Sequence, residues 1–446
     1  MTNHLDTIAA VSTPPGTGGI AVIRLSGTNS LEIINKVFRS KIAAEEMESH
    51  HIYFGRIFDS NELIDEVLVS YFRNPNSFTG EDVIEISCHG GAFVTQRVLE
   101  TILKRGARSA EKGEFTKRAF LNGKIDLTEA EAIIDLIHSS TKHSLESAIY
   151  QLEGKLHESI SIILDEITAI RTEIELDIDF SDQGLESKKF NDYGSALNRI
   201  QKSLKKLIKT AHEGRILHEG YRVVIAGPPN AGKSSVFNKL IENERSIVTD
   251  IPGTTRDYIE EDIALEGYLV KLFDTAGLRD EPEHIERYGI EKSLKIIGDA
   301  HLVIWIKDCT VSRETSLPNL DGINIIQVLN KVDLLGVQSK KEKDLLYVSA
   351  IDGTGIEELK KRLINNIDIS NYDISGGFIT NARQLAAAEK SLKALCQAID
   401  SADSQRGLEF IAFDLKESSE YLEEIIGKIS SEEIINSIFE RFCVGK

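Results

Sequence analysis

Gly227-Pro-Pro-Asn-Ala-Gly232-Lys233-Ser234 has the spacing GxxxxGK[ST]. It follows an apolar, strand-compatible run, Arg222-Val-Val-Ile-Ala226, and precedes a helix-compatible one, Ser235–Leu240. Glycines at these positions let the backbone curl so that successive N–H groups face a phosphate, at a helix N-terminus that already favours anions. In such a loop Lys233 reaches the β- and γ-phosphates and the Ser234 hydroxyl ligates Mg2+. Asn230, Ala231, Gly232, Lys233, Ser234 and Ser235 are the candidate phosphate-binding residues. Three further elements follow in the order this chemistry requires. Asp274-Thr275-Ala276-Gly277 ends a predicted strand, with Asp274 near the metal and the Gly277 N–H near the γ-phosphate. Asn330-Lys331-Val-Asp333 ends another, where an aspartate accepts both the ring imino and exocyclic amino hydrogens of guanine. Adenine offers neither donor pattern, which would leave a buried carboxylate unpaired at a cost of at least about 1–3 kcal/mol. Ser349-Ala350-Ile351 then supplies backbone contacts to the base edge. Together these motifs read as a guanine-nucleotide P-loop domain, with GTP as substrate.

Thr249-Asp250-Ile251-Pro252-Gly253-Thr254-Thr255-Arg-Asp257 lies where a first switch belongs. A threonine there can hold Mg2+ while the γ-phosphate is present and release it after hydrolysis. The second switch departs from the small-GTPase pattern. Leu278 stands where a water-orienting glutamine is expected, and leucine cannot polarise water. Either hydrolysis is very slow or a carboxylate from the next segment does the work; Asp280, Glu281, Glu283 and Glu286 are available.

These residues need rigid elements behind them. Between about 216 and 377, strand candidates at Tyr221–Gly227, Leu269–Phe273, Leu302–Lys307, Asn324–Asn330 and Leu345–Ser349 alternate with helical segments, predicting a doubly wound, mostly parallel sheet. Residues 1 to about 118 read as mixed α/β, with β-rich runs at Ile20–Leu25, His51–Phe58, Val67–Phe72 and Val83–Ser87. From 119 the period changes. Leu145, Ile149, Leu152, Leu156, Ile160, Ile163, Ile167, Ile170 and Ile174 recur about every 3.6 residues, predicting one straight helix, and another is expected at about 191–212. Helical patterning returns after 378, where Ser430 and Glu433 have capping-box spacing. The expected architecture is multidomain α/β plus α: an N-terminal α/β domain (1–118), a helical domain in two halves (119–215 and 378–446), and a P-loop domain inserted between them (216–377).

The 446-residue chain is 41% hydrophobic and 28% charged, which suits a folded protein with a sizeable core. Its net charge of −19 argues against generalised coating of nucleic acid, while leaving room for a local basic patch. Two runs qualify: Lys104, Arg105, Arg108, Lys112, Lys117 and Arg118, and the helical Arg199, Lys202, Lys205, Lys206 and Lys209. Four scattered cysteines and isolated histidines give no zinc or disulfide framework. Reduced thiols, an N-terminus without a secretory pattern and the lack of a long apolar run predict a cytoplasmic protein without a membrane partner.

The motifs above, flanked by Ser77-Phe-Thr-Gly-Glu-Asp82, by Gly113-Glu-Phe-Thr-Lys-Arg-Ala-Phe-Leu-Asn-Gly-Lys124 and by the terminal Cys443-Val-Gly-Lys446, closely resemble the tRNA modification GTPase MnmE (TrmE) family over essentially the whole chain. That resemblance implies a potassium-activated GTPase that forms a homodimer through its N-terminal domain. It implies work with the FAD-containing flavoprotein MnmG, in a heterotetramer or larger assembly, to modify the wobble uridine of certain tRNAs with a (carboxymethyl)aminomethyl group. FAD belongs to the partner. The carbon would come from a formyl- or methylene-tetrahydrofolate bound to the N-terminal domain.

On matching positions, the resemblance places K+ in a cage of Asn230 with Thr249, Ile251 and Thr254. Thr255 joins Ser234 on Mg2+, and Glu286 becomes the catalytic carboxylate that positions water. For the folate the matching residues are Arg24, Glu81, Lys124 and Lys446, Glu81 suiting the pterin's donors and the cations its glutamate carboxylates. Cys443 is either a small buried side chain or a thiol delivered beside the folate. A reading from another class, a GTP-switched ribosome-assembly or translation factor acting by binding, would want a basic appendage, and the acidic tail from Leu408 is the wrong material.

Overall fold

The computed structural model describes residues 6–179, 190–242, 259–275, 297–311, 322–335, 341–342, 345–367, 377–429 and 431–446. They form two compact units, one of Met1–Ile134 with Ser419–Lys446 and one of Asp135–Ser418.

The first unit runs β1 (Ile8–Val11), β2 (Ile20–Ser26), α1 (Ser30–Val37), β3 (Phe38–Ser40), β4 (His51–Asp59), β5 (Glu62–Phe72), β6 (Val83–His89), α2 (Ala92–Leu103), β7 (Arg108–Ser109) and α3 (Glu114–Leu121). Its strands make one sheet in the order β3-β4-β5-β6-β2-β1-β7, antiparallel except where β1 pairs with β7. Side chains alternate across it, as period-2 geometry requires. Ile23, Leu25, Val67, Val69, Ile84 and Ile86 are buried in one core with Ile33, Ile34, Val98 and Ile102 of α1 and α2. Ile52, Phe54 and Leu68 lie on the opposite face, exposed.

The chain's last residues complete this unit. Phe439 and Phe442 pack with Leu127 and Ala130. The Phe115 N–H donates to the Lys446 carbonyl at 3.2 Å, and Ser12 Oγ donates to the Gly445 carbonyl at 2.9 Å. Gly113 has φ of 66°, and a Cβ there would sit 2.6 Å from the Phe439 carbonyl, so only glycine lets α3 start so close.

Arg118 ties the unit together. Its side chain is 5% exposed and faces Asp6 at 2.7 Å, Glu114 at 3.0 Å and Glu81 at 3.2 Å. Arg108 holds Asp6 and Glu114 from the other side, at 2.8 and 2.6 Å. Burial alone would raise the Glu114 carboxyl, but hydrogen bonds from Arg108, the Glu111 N–H and Arg118 outweigh it and hold the carboxyl below its ordinary value.

The second unit contains α5 (Lys142–Leu152), α6 (Lys155–Asp179) and α7 (Phe190–Glu219), preceded by α4 (Leu127–His138), which crosses from the first unit. The stripe from Leu145 to Ile174 is not one helix. Gly154, at φ of 76°, breaks it between α5 and α6, and Leu145 and Ile149 are exposed whereas Leu156 through Ile174 are buried. The break has a tertiary cause that periodicity does not carry. The returning segment at Gly377 passes so close to Lys155 that a Cβ would lie 2.6 Å from its backbone. Gln151 Nε2 donates to the Phe378 carbonyl and to Thr380 Oγ1 there.

α7 extends to Glu219 and leads through Gly220 into β8 (Tyr221–Ala226), α8 (Lys233–Ile241), β9 (Ile259–Leu265), β10 (Tyr268–Asp274), β11 (Leu302–Asp308), β12 (Asn324–Asn330), β13 (Lys341–Glu342), β14 (Leu345–Tyr347) and α9 (Ile356–Asn366). The sheet order is β13-β14-β12-β11-β8-β10-β9, with β14, β12, β11, β8 and β10 parallel and β9 and β13 as antiparallel edges. Val223 and Ile225 belong to one apolar cluster and Val224 and Ala226 to another, so β8 is covered on both faces. This is the doubly wound, mostly parallel sheet that the alternation predicts.

The chain finishes with α10 (Ala382–Asp403), α11 (Leu408–Ile426) and α12 (Glu432–Phe439). The cap of α12 is Ser431, whose Oγ accepts from the Ile434 N–H at 3.3 Å. That is one residue later than the expected Ser430–Glu433 box, and Ser430 itself lies outside the described residues. Among the described residues no helix is long and apolar enough to cross a membrane.

Arg118→Ala should cost about 3–5 kcal/mol, because it leaves carboxylates buried without their cation. The lowered Glu114 carboxyl contributes stability above about pH 4.5 and loses it as pH falls through its folded value. Calorimetry should therefore show a deficit for Arg118→Ala at neutral pH that narrows in acid.

Candidate functional site: a nucleotide cradle at the ends of parallel strands

β8, β10 and β12 deliver their last residues to one edge of the sheet, where open α/β sheets bind ligands. Between β8 and α8 the loop Gly227–Gly232 takes backbone angles suited to its composition. Asn230 has φ of 62° and Gly232 of 87°. A Cβ on Gly227 would lie 2.1 Å from the Ile306 carbonyl, and one on Gly232 would lie 2.2 Å from Asn330 Nδ2. Neither position admits another residue.

The loop is clamped from β12. Asn330, 2% exposed, donates from Nδ2 to the Ala231 carbonyl at 3.0 Å and accepts on Oδ1 from the Ala350 N–H at 3.3 Å. Lys331 Nζ donates to the Asn230 carbonyl at 2.9 Å. Because carbonyl and following N–H point to opposite sides of a trans peptide, fixing the Ala231 carbonyl toward Asn330 turns the Gly232 N–H the other way, into the loop. Lys233 is buried and donates from Nζ to the Pro228 carbonyl at 3.0 Å, folded across the concavity it would share with a phosphate. The side chains of Ser234 and Ser235 start α8 in exposed positions.

Asp274 ends β10 and is 1% exposed, and Thr275 Oγ1 beside it donates to the Ile225 carbonyl at 2.9 Å. Asp333 follows β12. Its Oδ1 is buried and has no hydrogen-bond partner among the described residues. An orphaned buried carboxylate oxygen is costly, and guanine's paired donors fit it. Ser349, fully buried, accepts on Oγ from the Ile351 and Asp352 N–H groups at 3.3 Å, shaping the turn beside that carboxylate's strand. Ala350 joins the turn to Asn330, and Ile351 is 80% exposed.

Asp308 is a site residue that motif reading missed. It ends β11, takes Lys331 Nζ at 2.6 Å and is held down to about 2 by that hydrogen bond, against burial, with Thr310 assisting. The signal available was its position, an acid at the carboxyl end of the strand next to the phosphate-loop strand. The remaining candidates, Thr249, Asp250, Ile251, Pro252, Gly253, Thr254, Thr255, Ala276, Gly277 and Glu286, lie outside the described residues.

In the first unit, Arg24 on β2 lies opposite Glu85 on β6 and bonds it from Nε and Nη2 at 2.9 and 2.7 Å, beneath the rings of Phe78 and Phe115. Burial and the Arg24 charge push the Lys446 ammonium below its ordinary value, with Glu85 opposing, so these three side chains share one neighbourhood. Glu81 accepts from Ser26 Oγ at 2.6 Å and from Arg118. Lys124 packs its stem on Gly80 and donates to the Pro75 carbonyl at 3.1 Å. Glu85 did not stand out in the sequence and Arg118 stood out only as part of a basic run, since their roles come from cross-strand register and from α3. Cys443 is exposed and lines a cavity of about 720 Å3 with Val11, Pro14, Pro15, Thr17 and Thr95; none of the four folate candidates lines it.

Against known proteins, the family model described as GTP-binding protein TrmE N-terminus matches residues 7–124, and that described as MnmE helical domain matches residues 127–443. A tRNA modification GTPase MnmE from Thermoanaerobacter pseudethanolicus is 41% identical, over 99% of this chain and 99% of its own. That of Clostridioides difficile is 40% identical over the same shares, and that of Streptococcus thermophilus 40% over 100% of both. The chain belongs to the tRNA modification GTPase MnmE family. Among solved structures, the G domain of the T. maritima FeoB iron transporter is 29% identical, covering 33% of this chain and 98% of its own, with a TM-score of 0.25.

Within this MnmE-family chain, the base-reading role expected of Asp333 is directly testable. Asp333→Asn should weaken GTP binding by about 10- to 100-fold, the equivalent of about 1–3 kcal/mol, and improve binding of xanthosine triphosphate. Competition between the two nucleotides measures it, and unchanged selectivity would mean that the base is read elsewhere.

Proposed function

We propose that this chain is a potassium-activated GTP hydrolase that acts with a flavoprotein of the MnmG kind to build a (carboxymethyl)aminomethyl group on the wobble uridine of tRNA, using a tetrahydrofolate one-carbon unit. The observation that carries the nucleotide half is the cradle itself. One buried amide, Asn330, holds the phosphate loop and the base-edge turn together, beside the unpartnered Asp333 oxygen.

In this reading Lys233 leaves the Pro228 carbonyl for the β- and γ-phosphates, and the Gly232 N–H donates to phosphate oxygen. Ser234 and Thr255 hold Mg2+. Asn230, Thr249, Ile251 and Thr254 hold K+. A cation bound there supplies positive charge beside the phosphates, the task of an arginine finger, which is worth about 10³–10⁵ in rate. Asn230 fits such a role: its side chain is exposed at the loop's crest while its carbonyl is tied back by Lys331. Glu286 orients the attacking water in place of the glutamine that Leu278 replaces.

The folate half rests on Arg24, Glu81 and Lys124 in the N-terminal segment and on Lys446 of the terminal motif. The cluster of Arg24, Lys446 and Glu85 offers cations to carboxylates, and Glu81 offers acceptors to a pterin's donors. The homodimer is supported by the outer face of the first sheet. There Phe54 is 64% and Ile52 67% exposed, and Phe54 stands in register with Leu68, Ser87 and Val22 across four strands. An apolar face of that kind suits a partner copy.

Two outcomes test the proposal. Cells lacking the protein should lose the modified wobble uridine in a tRNA nucleoside profile, and its persistence would overturn the tRNA half. Replacing K+ with Na+ should slow GTP hydrolysis by at least about 10-fold, a small part of an arginine finger's contribution; equal rates in both salts would remove the cation from the mechanism.

A further inference from the structure

The two basic runs seen in the sequence have opposite fates. In the first, Lys104 and Arg105 face Asp59, Arg108 faces Asp6 and Glu114, and Arg118 is buried among three carboxylates. Lys117 donates to Asn436. Apart from Lys112, which is exposed, these cations are used in holding the first unit together.

The second run lies on α7. Leu197, Ile200, Leu204, Leu207 and Ala211 are buried and seat the helix on its neighbours. Arg199, Lys202, Lys206 and Lys209 point outward, exposed, and none forms an ion pair among the described residues. Their spacing of i, i+3, i+7 and i+10 gathers them in an arc about 80° wide, about 15 Å long. The acids of the same helix, Asp192, Glu213 and Glu219, lie before or after the stripe rather than within it. Four uncompensated cations in one row are conspicuous in a chain of net charge −19.

We infer that this stripe is the surface on which the chain holds the phosphate backbone of its tRNA, an inference that rests on the tRNA-modification reading above. Its length of about 15 Å covers about four of the roughly 3.4 Å axial steps between successive phosphates of one strand. Exposed, flexible cations carry no base information, so the contact orients the RNA without selecting sequence, and selection falls to other groups. An acidic protein surface is the other occupant such a row could take, and the test below separates the two.

Full-length protein titrated with unmodified tRNA at about 50 and 200 mM salt tests this. The variant R199Q/K202Q/K206Q/K209Q should bind at least about 10-fold more weakly, and the slope of log affinity against log salt should fall by about 3. The charge-preserving variant R199K/K202R/K206R/K209R should bind like the wild type. Both should hydrolyse GTP at the wild-type rate. Wild-type affinity and slope in the glutamine variant would overturn the stripe and leave the proposed function standing. A wild-type protein that hydrolyses GTP but binds no tRNA would overturn both. Intact tRNA binding with lost modification in cells would assign the stripe to a protein partner and overturn the inference.

Discussion

Everything at the nucleotide site depends on where one buried amide points. Asn330 spends its NH2 on the Ala231 carbonyl and its oxygen on the Ala350 N–H. A phosphate-binding loop is a strained arrangement of backbone dipoles that would repel one another if left free, and the peptide between Ala231 and Gly232 must present its N–H inward. Asn330 fixes that orientation before any phosphate arrives. The same side chain sets the distance between the phosphate loop and the turn at Ser349, so a nucleotide must fit both ends together. Preorganisation of this kind lowers the ordering cost of binding. Close packing at Gly232, where a Cβ would strike Asn330 Nδ2, leaves no room for an alternative.

Charge is handled differently in the two units. Around Arg118 and Arg108 the carboxylates of Asp6, Glu81 and Glu114 are drawn inward, where isolated charges would be expensive and paired ones are tolerated. The result ties the N-terminal strand, the loop before β6 and α3 to one another, and so positions Glu81. On α7 the opposite holds, with four cations exposed and none in an ion pair among the described residues.

Much of this was legible in the residues. The phosphate loop, Asp274, Asn330, Asp333 and Ser349 announce themselves because each needs a particular side chain at a strand's end, and the strands carrying them show as apolar runs within a residue or two of their true limits. Other features were not legible. The stripe from Leu145 to Ile174 keeps its period straight through Gly154, since a break of two residues barely disturbs an average of 3.6. Only the approach of Gly377 to Lys155 explains why the helix must stop. Asp308 offered only a positional signal, its partner Lys331 being distant in sequence and adjacent only through the pairing of β11 with β12.

Sequence alone determined local chemistry: which loop has phosphate-binding spacing, which acid is the candidate reader of the base, and where most of the core strands of the second sheet run, because these follow from residue type at short spacing. Tertiary structure decided the assignments that depend on partners far along the chain. It set the Lys104–Arg118 run, Lys112 apart, to pair with acids of the first unit and left the α7 run to solvent. It also brought Lys446 beside Arg24 and Glu85 while turning Cys443 toward a separate cavity. An ion pair or a close backbone approach is a property of distance in space, and spacing along one segment does not encode it.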